Sequence, residues 1–129
     1  MTTPPKRFGT SINCMDGRVQ IPVIEYLTRV YHLDYVDMVT EAGPVGILSE
    51  GEDSATAKSI RRRVEISITK HDSELIAIVA HHDCAGNPVE RDEQLEQIRT
   101  AIRVVESWGY KVRVIGLWVD ESWGVHEPE

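Results

Sequence analysis

The stretch Leu75-Ile76-Ala77-Ile78-Val79-Ala80 constrains this chain more than any other, because an unbroken apolar run leaves no face for water. Periodicity alone cannot assign such a run. Its length and its Ile and Val content favour a strand buried on both faces over a segment of helix. A strand of that kind needs helices above and below it, and the remaining sequence provides them.

Upstream, Phe8 to Asn13 reads as a short strand ending at Cys14, and Asp16-Gly17 supplies turn chemistry. Pro22 suits a first helical turn, and Val23, Ile24, Leu27, Val30 and Tyr31 recur at helical spacing, which predicts a helix from Pro22 to His32. Tyr35 to Thr40 is a second strand. Ala42-Gly43-Pro44 and the residues through Gly51 read as a loop, after which Ser54 caps a helix ending near His71, with Ala57, Ile60, Val64 and Ile68 on one side. Downstream of the apolar run, Leu95, Ile98, Ile102 and Val105 mark a helix from Arg91 to Trp108 that stops at Gly109. Lys111 to Val119 is a fourth strand. After a turn at Asp120 to Gly124, Val125 to Glu127 can return as a short antiparallel edge strand.

Strands alternating with helices predict an open α/β sheet, mostly parallel, with right-handed crossovers and helices on both faces. The expected strand order is 2-1-3-4, which places the ends of the first and third strands side by side where the winding reverses, the usual position of a ligand site. With 129 residues and no repeat or linker to divide them, the chain is expected to form a single domain spanning residues 1–129.

Charge narrows the functions. A net charge of −7 argues against a nucleic-acid partner, and the Arg61-Arg62-Arg63 cluster reads as the solvated side of a helix. No run approaches the roughly 18 apolar residues that cross a bilayer. Met1 to Gly9 contains Pro4 and Pro5 and no apolar core of a signal peptide, so no leader, no membrane anchor and a cytoplasmic location are expected. The two cysteines do not make a disulfide framework, which agrees with a reducing compartment.

Both cysteines fall at ends of strands. Cys14 closes the first strand, and His81-His82-Asp83-Cys84 follows the third. Catalytic zinc needs three N/S ligands and an open position, and Cys14, His81 and Cys84 make that set. Asp16 and Arg18 stand beside the first ligand. A forked hydrogen bond from Arg18 can keep Asp16 ionised and fixed, and Asp16 can then accept a hydrogen bond from metal-bound water. Taken alone, Asp16-Gly17 is a plain turn and Arg18 a surface charge; their coincidence with Cys14 and the HxxC element gives them a role. His82 and Asp83 are left outside the catalytic set, Trp108, Trp118 and Trp123 are read as core and edge packing, and His32, His71 and His126 as surface groups.

CxDxR after one strand and HxxC after a later one resemble the β-class carbonic anhydrases. Tyr35 to Pro44 resembles that family's second strand and its Ala-Gly loop, Ser59 falls on the helix that follows, and Gly116 to Gly124 resembles its final strand and turn. The likeness covers most of the chain from Arg7 onward. It implies zinc held by Cys14, His81 and Cys84, reversible hydration of CO2 to bicarbonate by a zinc-bound hydroxide, and Asp16 and Arg18 as the dyad that orients the water. In some members the aspartate itself moves onto the metal. The resemblance also implies a homodimer or higher homo-oligomer, although Met1 to Lys6 is too short for the helical arm by which family members wrap a partner. Thr40-Glu41 replaces the usual Arg-Asn ahead of the Ala-Gly loop, and Ala85-Gly86-Asn87-Pro88 replaces the usual Gly pair after the last ligand. In these respects the chain is similar to the compact subfamily described as putative carbonic anhydrases.

Two other readings use the same ligands. One is hydrolysis of a related linear heterocumulene, COS or CS2; the other is a zinc-binding regulatory module in which Asp16 closes the metal shell. A redox dithiol lacks CxxC spacing, and Cys84 to Arg91 is one residue too long for a phosphate-binding CxxxxxR loop.

Overall fold

The computed structural model describes residues 4–128. Met1 to Thr3, part of the stretch read as lacking a leader, and Glu129 lie outside the described residues. In order, the elements are β1 (Phe8–Cys14), a single 3-10 turn (Gly17–Val19), α1 (Gln20–Val30), β2 (Tyr35–Glu41), α2 (Pro44–Ser49), α3 (Ala55–His71), β3 (Leu75–His81), α4 (Arg91–Glu106), β4 (Arg113–Val119) and β5 (Val125–His126).

The sheet order is β2-β1-β3-β4-β5, parallel through β4 and antiparallel at β5. This is the predicted winding. Every residue of β3 is buried, as an apolar strand in the middle of a doubly covered sheet must be. Val23 and Leu27 of α1 pack with Leu75, Ala77 and Val79 on one face of the sheet. On the other, Ile60 and Val64 of α3 and Ile98 and Val105 of α4 pack with Ile12, Ile76 and Ile78. The alternation along β3, odd residues to one core and even residues to the other, is the period-two geometry of a strand.

Local chemistry sets the helix ends. Ser54 Oγ accepts the backbone N–H of Ala57 at 3.0 Å and so caps α3. That helix ends on Asp72 in a left-handed conformation (φ 52°), with Lys70 and His71 in its last turn, where positive charge opposes the helix dipole. The predicted loop from Ala42 to Gly51 is corrected: α2 forms inside it. Gly43 takes φ 64°, and Pro44, preset for helical φ, opens the helix. Three helical residues, Pro44, Val45 and Leu48, are buried, but so short an amphipathic pattern is hidden behind a Gly-Pro pair that reads as a turn.

Other boundaries move by one or two residues. The 3-10 turn brings α1 forward to Gln20, and α4 stops at Glu106, before Trp108. Among the described residues, no helix is long and apolar enough to cross a membrane.

Candidate metal centre

Register brings the strand tips together. Ile12 of β1 pairs with Ile78 of β3, so Cys14 and His81 emerge at the same edge of adjacent strands. Beyond His81 the backbone N–H of His82 bonds the carbonyl of Val119 at 2.9 Å, and Asp83 takes a left-handed φ of 59°. Aspartate tolerates that region better than most residues, and the reversal returns Cys84 toward the sheet. One ligand atom from each of Cys14, His81 and Cys84 then lies within 4.8 Å of the other two, and all three residues are buried. The sulfurs are 3.9 Å apart.

The electrostatics are those of a cation site. The hydrogen bond from Cys84 is the main force holding the Cys14 thiol down to about 4; burial opposes it, and His81 and the backbone N–H groups of Asp16 and Gly43 assist. Cys84 is pushed up by Cys14 and by burial. Burial lowers the imidazole of His81, but the Cys14 sulfur and the carbonyl of His82 raise it by more. His81 Nδ1 lies 2.7 Å from the carbonyl oxygen of His82 and donates to it, which leaves Nε2 with the lone pair. Among the described residues, buried Nε2 has no hydrogen-bond partner. An orphaned imidazole nitrogen beside two thiols that compete for one proton is a set of donors that fits a divalent ion.

Asp16 caps the 3-10 turn, its Oδ1 accepting the backbone N–H of Arg18 at 2.9 Å. The side chain of Arg18 completes the pair. Its Nε donates to Oδ1 at 3.0 Å and its Nη2 to Oδ2 at 2.7 Å, the forked geometry of a bidentate guanidinium–carboxylate pair. These bonds hold the Asp16 carboxyl at about 2 and raise Arg18 further above its usual range. Asp16 is not one of the three mutually close ligand residues.

Several contributors were not read from the sequence. Gln94 of α4, fully buried, accepts the backbone N–H of His81 at 3.3 Å and donates to the carbonyls of His81 and Val89 at 2.9 and 3.1 Å. Gln20 Nε2 donates to the carbonyl of Cys14 at 2.6 Å. Arg18 also reaches the carboxylate of Asp83 at 3.3 Å and its carbonyl at 3.2 Å, so the loops after β1 and β3 share one guanidinium. Trp108 and Trp118 are core residues, but Trp123 lies against Arg18, 4.5 Å from its guanidinium carbon to the ring centroid. A polar residue on the apolar face of a helix, as Gln94 is, was the one available signal.

The basic trio divides. Arg61 and Arg62 are exposed, whereas Arg63 pairs with Glu41 at 3.1 Å and so answers the charge introduced by Thr40-Glu41. His71 and His126 are exposed as expected, each bonded to an aspartate, Asp37 at 2.6 Å and Asp120 at 2.5 Å.

A buried Cys-His-Cys cluster at the reversal point of a parallel α/β sheet, flanked by a forked Asp–Arg pair, belongs to the class of α/β proteins that can bind a metal at their strand tips. The chain itself belongs to the family described as "Putative carbonic anhydrase", whose model matches residues 4–128. No curated protein sequence matches it. Among solved structures it is similar to a tetrameric β-carbonic anhydrase of Sordaria macrospora, at 14% identity and a TM-score of 0.52 over 97% of this chain and 81% of that one. It is also similar to the β-carbonic anhydrase CafA of Aspergillus fumigatus, at 13% identity and a TM-score of 0.48 over 96% of this chain and 76% of that one. At such identity the first likeness is one of fold.

Proposed function

We propose that the protein is a zinc enzyme catalysing the reversible hydration of CO2 to bicarbonate. The observation that carries this reading is the orphaned Nε2 of His81 beside the paired sulfurs of Cys14 and Cys84, within a chain of the carbonic anhydrase family. Cys14, His81 and Cys84 would hold the zinc, which would lower the pKa of a bound solvent molecule toward neutrality.

The remaining chemistry belongs to the chain. Asp16, ionised at every pH above its depressed value of about 2, is an acceptor and never a donor at neutral pH, so it fixes which way a solvent proton points. Arg18 holds both carboxylate oxygens and limits the rotamers of Asp16. The carboxylate's engagement with Arg18 favours catalysis over a regulatory module, which would need Asp16 on the metal. Exposed Met15 and Ile21, beside the site, support assembly into a homo-oligomer like the tetrameric Sordaria enzyme. Residues 1–129 act as one domain, and two cysteines used as metal ligands accord with the cytoplasm.

Metal analysis with stopped-flow CO2 hydration tests the reading. One zinc per chain and measurable hydration are expected, with Asp16→Ala about 100-fold slower and still zinc-loaded. Zinc-loaded wild-type protein that leaves CO2 unhydrated overturns it, and turnover of COS or CS2 by that same protein would redirect the activity to those substrates.

A further inference from the structure

Arg18 joins the two ligand-bearing loops through its guanidinium, which bonds both Asp16 and Asp83. Its side chain is 45% exposed, so water competes with its ion pairs. Both aspartates attach at the edges of the guanidinium plane: Asp16 at Nε and Nη2, Asp83 at Nη1 and, through its carbonyl, Nη2. In-plane bonds do not stop a long side chain from tilting out of the plane or turning wholly toward one carboxylate. A flat apolar surface against one face does.

Trp123 presents such a surface. Its indole lies 4.5 Å from the guanidinium carbon, within the range of a cation–π contact. The backbone beneath it is in an unusual state: Trp123 has φ 63°, a left-handed conformation that a bulky residue adopts when its surroundings impose it. They do so here. Asp120 Oδ1 accepts the N–H groups of Ser122 and Gly124 at 2.8 and 2.9 Å, and the Trp123 N–H bonds the carbonyl of Asp120 at 2.9 Å. Beyond the turn, Val125 pairs with Val119, and Glu127 is gripped by the hydroxyls of Tyr26 and Tyr31 at 2.6 to 2.8 Å. The turn is thus tied to β4 on one side and to α1 on the other, and the strained residue at its tip carries the ring that meets Arg18.

We propose that Trp123 is a positioning residue: its indole holds the Arg18 guanidinium in the orientation that bonds Asp16 and Asp83 together, and so keeps the acceptor geometry of Asp16. The catalytic consequence rests on the proposed CO2 chemistry; the positioning does not.

Three variants of the zinc-loaded full chain test it: Trp123→Phe keeps a π face, Trp123→Leu keeps apolar volume without one, and Trp123→Ala removes both. The first readout is the NMR spectrum of the Arg18 side chain. In the wild type its Nε–H signal is expected to be slow to exchange and its Cδ protons shifted upfield by the ring current. Leu and Ala lose both features, and Phe retains them in reduced form. The second readout is hydration: Leu lowers kcat about tenfold with little change in KM or zinc content, and Phe restores most of it. A Leu variant whose Arg18 Nε–H exchange matches wild type overturns the proposal, because the ring is then packing alone. If Ala fails to fold, the Leu and Phe pair still decides. Expected Arg18 spectra in a wild type that does not hydrate CO2 would count against the proposed reaction and leave the positioning intact.

Discussion

The sulfurs of Cys14 and Cys84, 70 residues apart in the chain, sit 3.9 Å from each other at the tips of β1 and of the loop after β3. At that spacing two negative charges repel strongly, and the pair keeps one proton between them: Cys14 is held down to about 4 by the hydrogen bond from Cys84, whose own thiol is pushed up. A divalent ion removes the conflict by ligating both as thiolates, so the proton on Cys84 must leave when metal enters. Zinc uptake at neutral pH is therefore expected to release about one proton or more per ion. Calorimetric titration in buffers of different ionisation enthalpy measures it. Binding heats that do not depend on the buffer would show that the two thiols are not ligands together.

Glycine at position 86 is a steric requirement of the site. A Cβ there would lie 2.5 Å from the carbonyl carbon of Ala42, and one at Gly43 would lie 2.8 Å from the carbonyl carbon of Gly86. The Ala42-Gly43 loop and the loop after Cys84 thus pack backbone on backbone, the arrangement that lets the Gly43 N–H reach the Cys14 sulfur. A Cβ at Gly43 would also meet Asn87 Cβ at 2.7 Å, and none of these contacts is the far end of a flexible side chain. Gly86→Ala is expected to cost about 1–3 kcal/mol in urea unfolding and to weaken zinc binding. Gly17→Ala, where an added methyl meets nothing within 4 Å, serves as the control and should stay within about 0.5 kcal/mol of wild type. Equal losses in the two variants would refute the packing argument.

What could be read from the sequence, and what could not, divides along physical lines. The apolar run of β3 and the helical periodicities are signals repeated over many residues, so the alternation of strands and helices followed from them. The Cys14, His81 and Cys84 set was read from ligand type and HxxC spacing, and the expected 2-1-3-4 order put the ends of β1 and β3 side by side. Asp16 and Arg18 are neighbours in sequence, and their pairing needs no tertiary information. Trp123 and Gln94 reach the site from elements separated from it by long stretches of chain, and nothing local distinguishes Trp123 from an edge-packing aromatic. Asp83 sits between the ligands His81 and Cys84, but its pairing with Arg18 across 65 residues has no local signal. Helix α2 was missed for a related reason: its apolar pattern is shorter than two turns, and a Gly-Pro start is as good a loop signal as a helix signal.

Gln94 supports the imidazole ligand through the backbone. It is 1% exposed and pairs with both the N–H and the carbonyl of His81, so it clamps the residue whose side chain would hold the metal. Gln94→Leu keeps the volume and removes all three hydrogen bonds. The expected cost is about 1–3 kcal/mol of stability from buried polar groups left short of partners, with a loss of roughly 10- to 100-fold in zinc affinity. Competition with a chelator of known affinity reads the second quantity. Unchanged affinity in a destabilised variant would confine Gln94 to a purely structural role.

The clasp on the C-terminal segment should be visible in alkaline solution. Tyr26 and Tyr31 are each pushed up to about 12, first by burial and then by the carboxylate of Glu127 that both hydroxyls grip. An unfolded tyrosine ionises near 10, so between pH 10 and about 12 the folded chain binds more protons than the unfolded one, and stability falls as pH rises. Below pH 10 that contribution is fully present; by pH 12 it is being lost, and the segment carrying Trp123 comes free with it. Glu127→Gln removes the charge but not the burial, so it should lower both tyrosine titrations part of the way and shorten the window from its alkaline side. Tyrosinate absorbance in the wild type, in Glu127→Gln and in the Tyr26→Phe and Tyr31→Phe variants assigns the two groups. If the tyrosines titrate identically with and without the Glu127 charge, the carboxylate is not held between them.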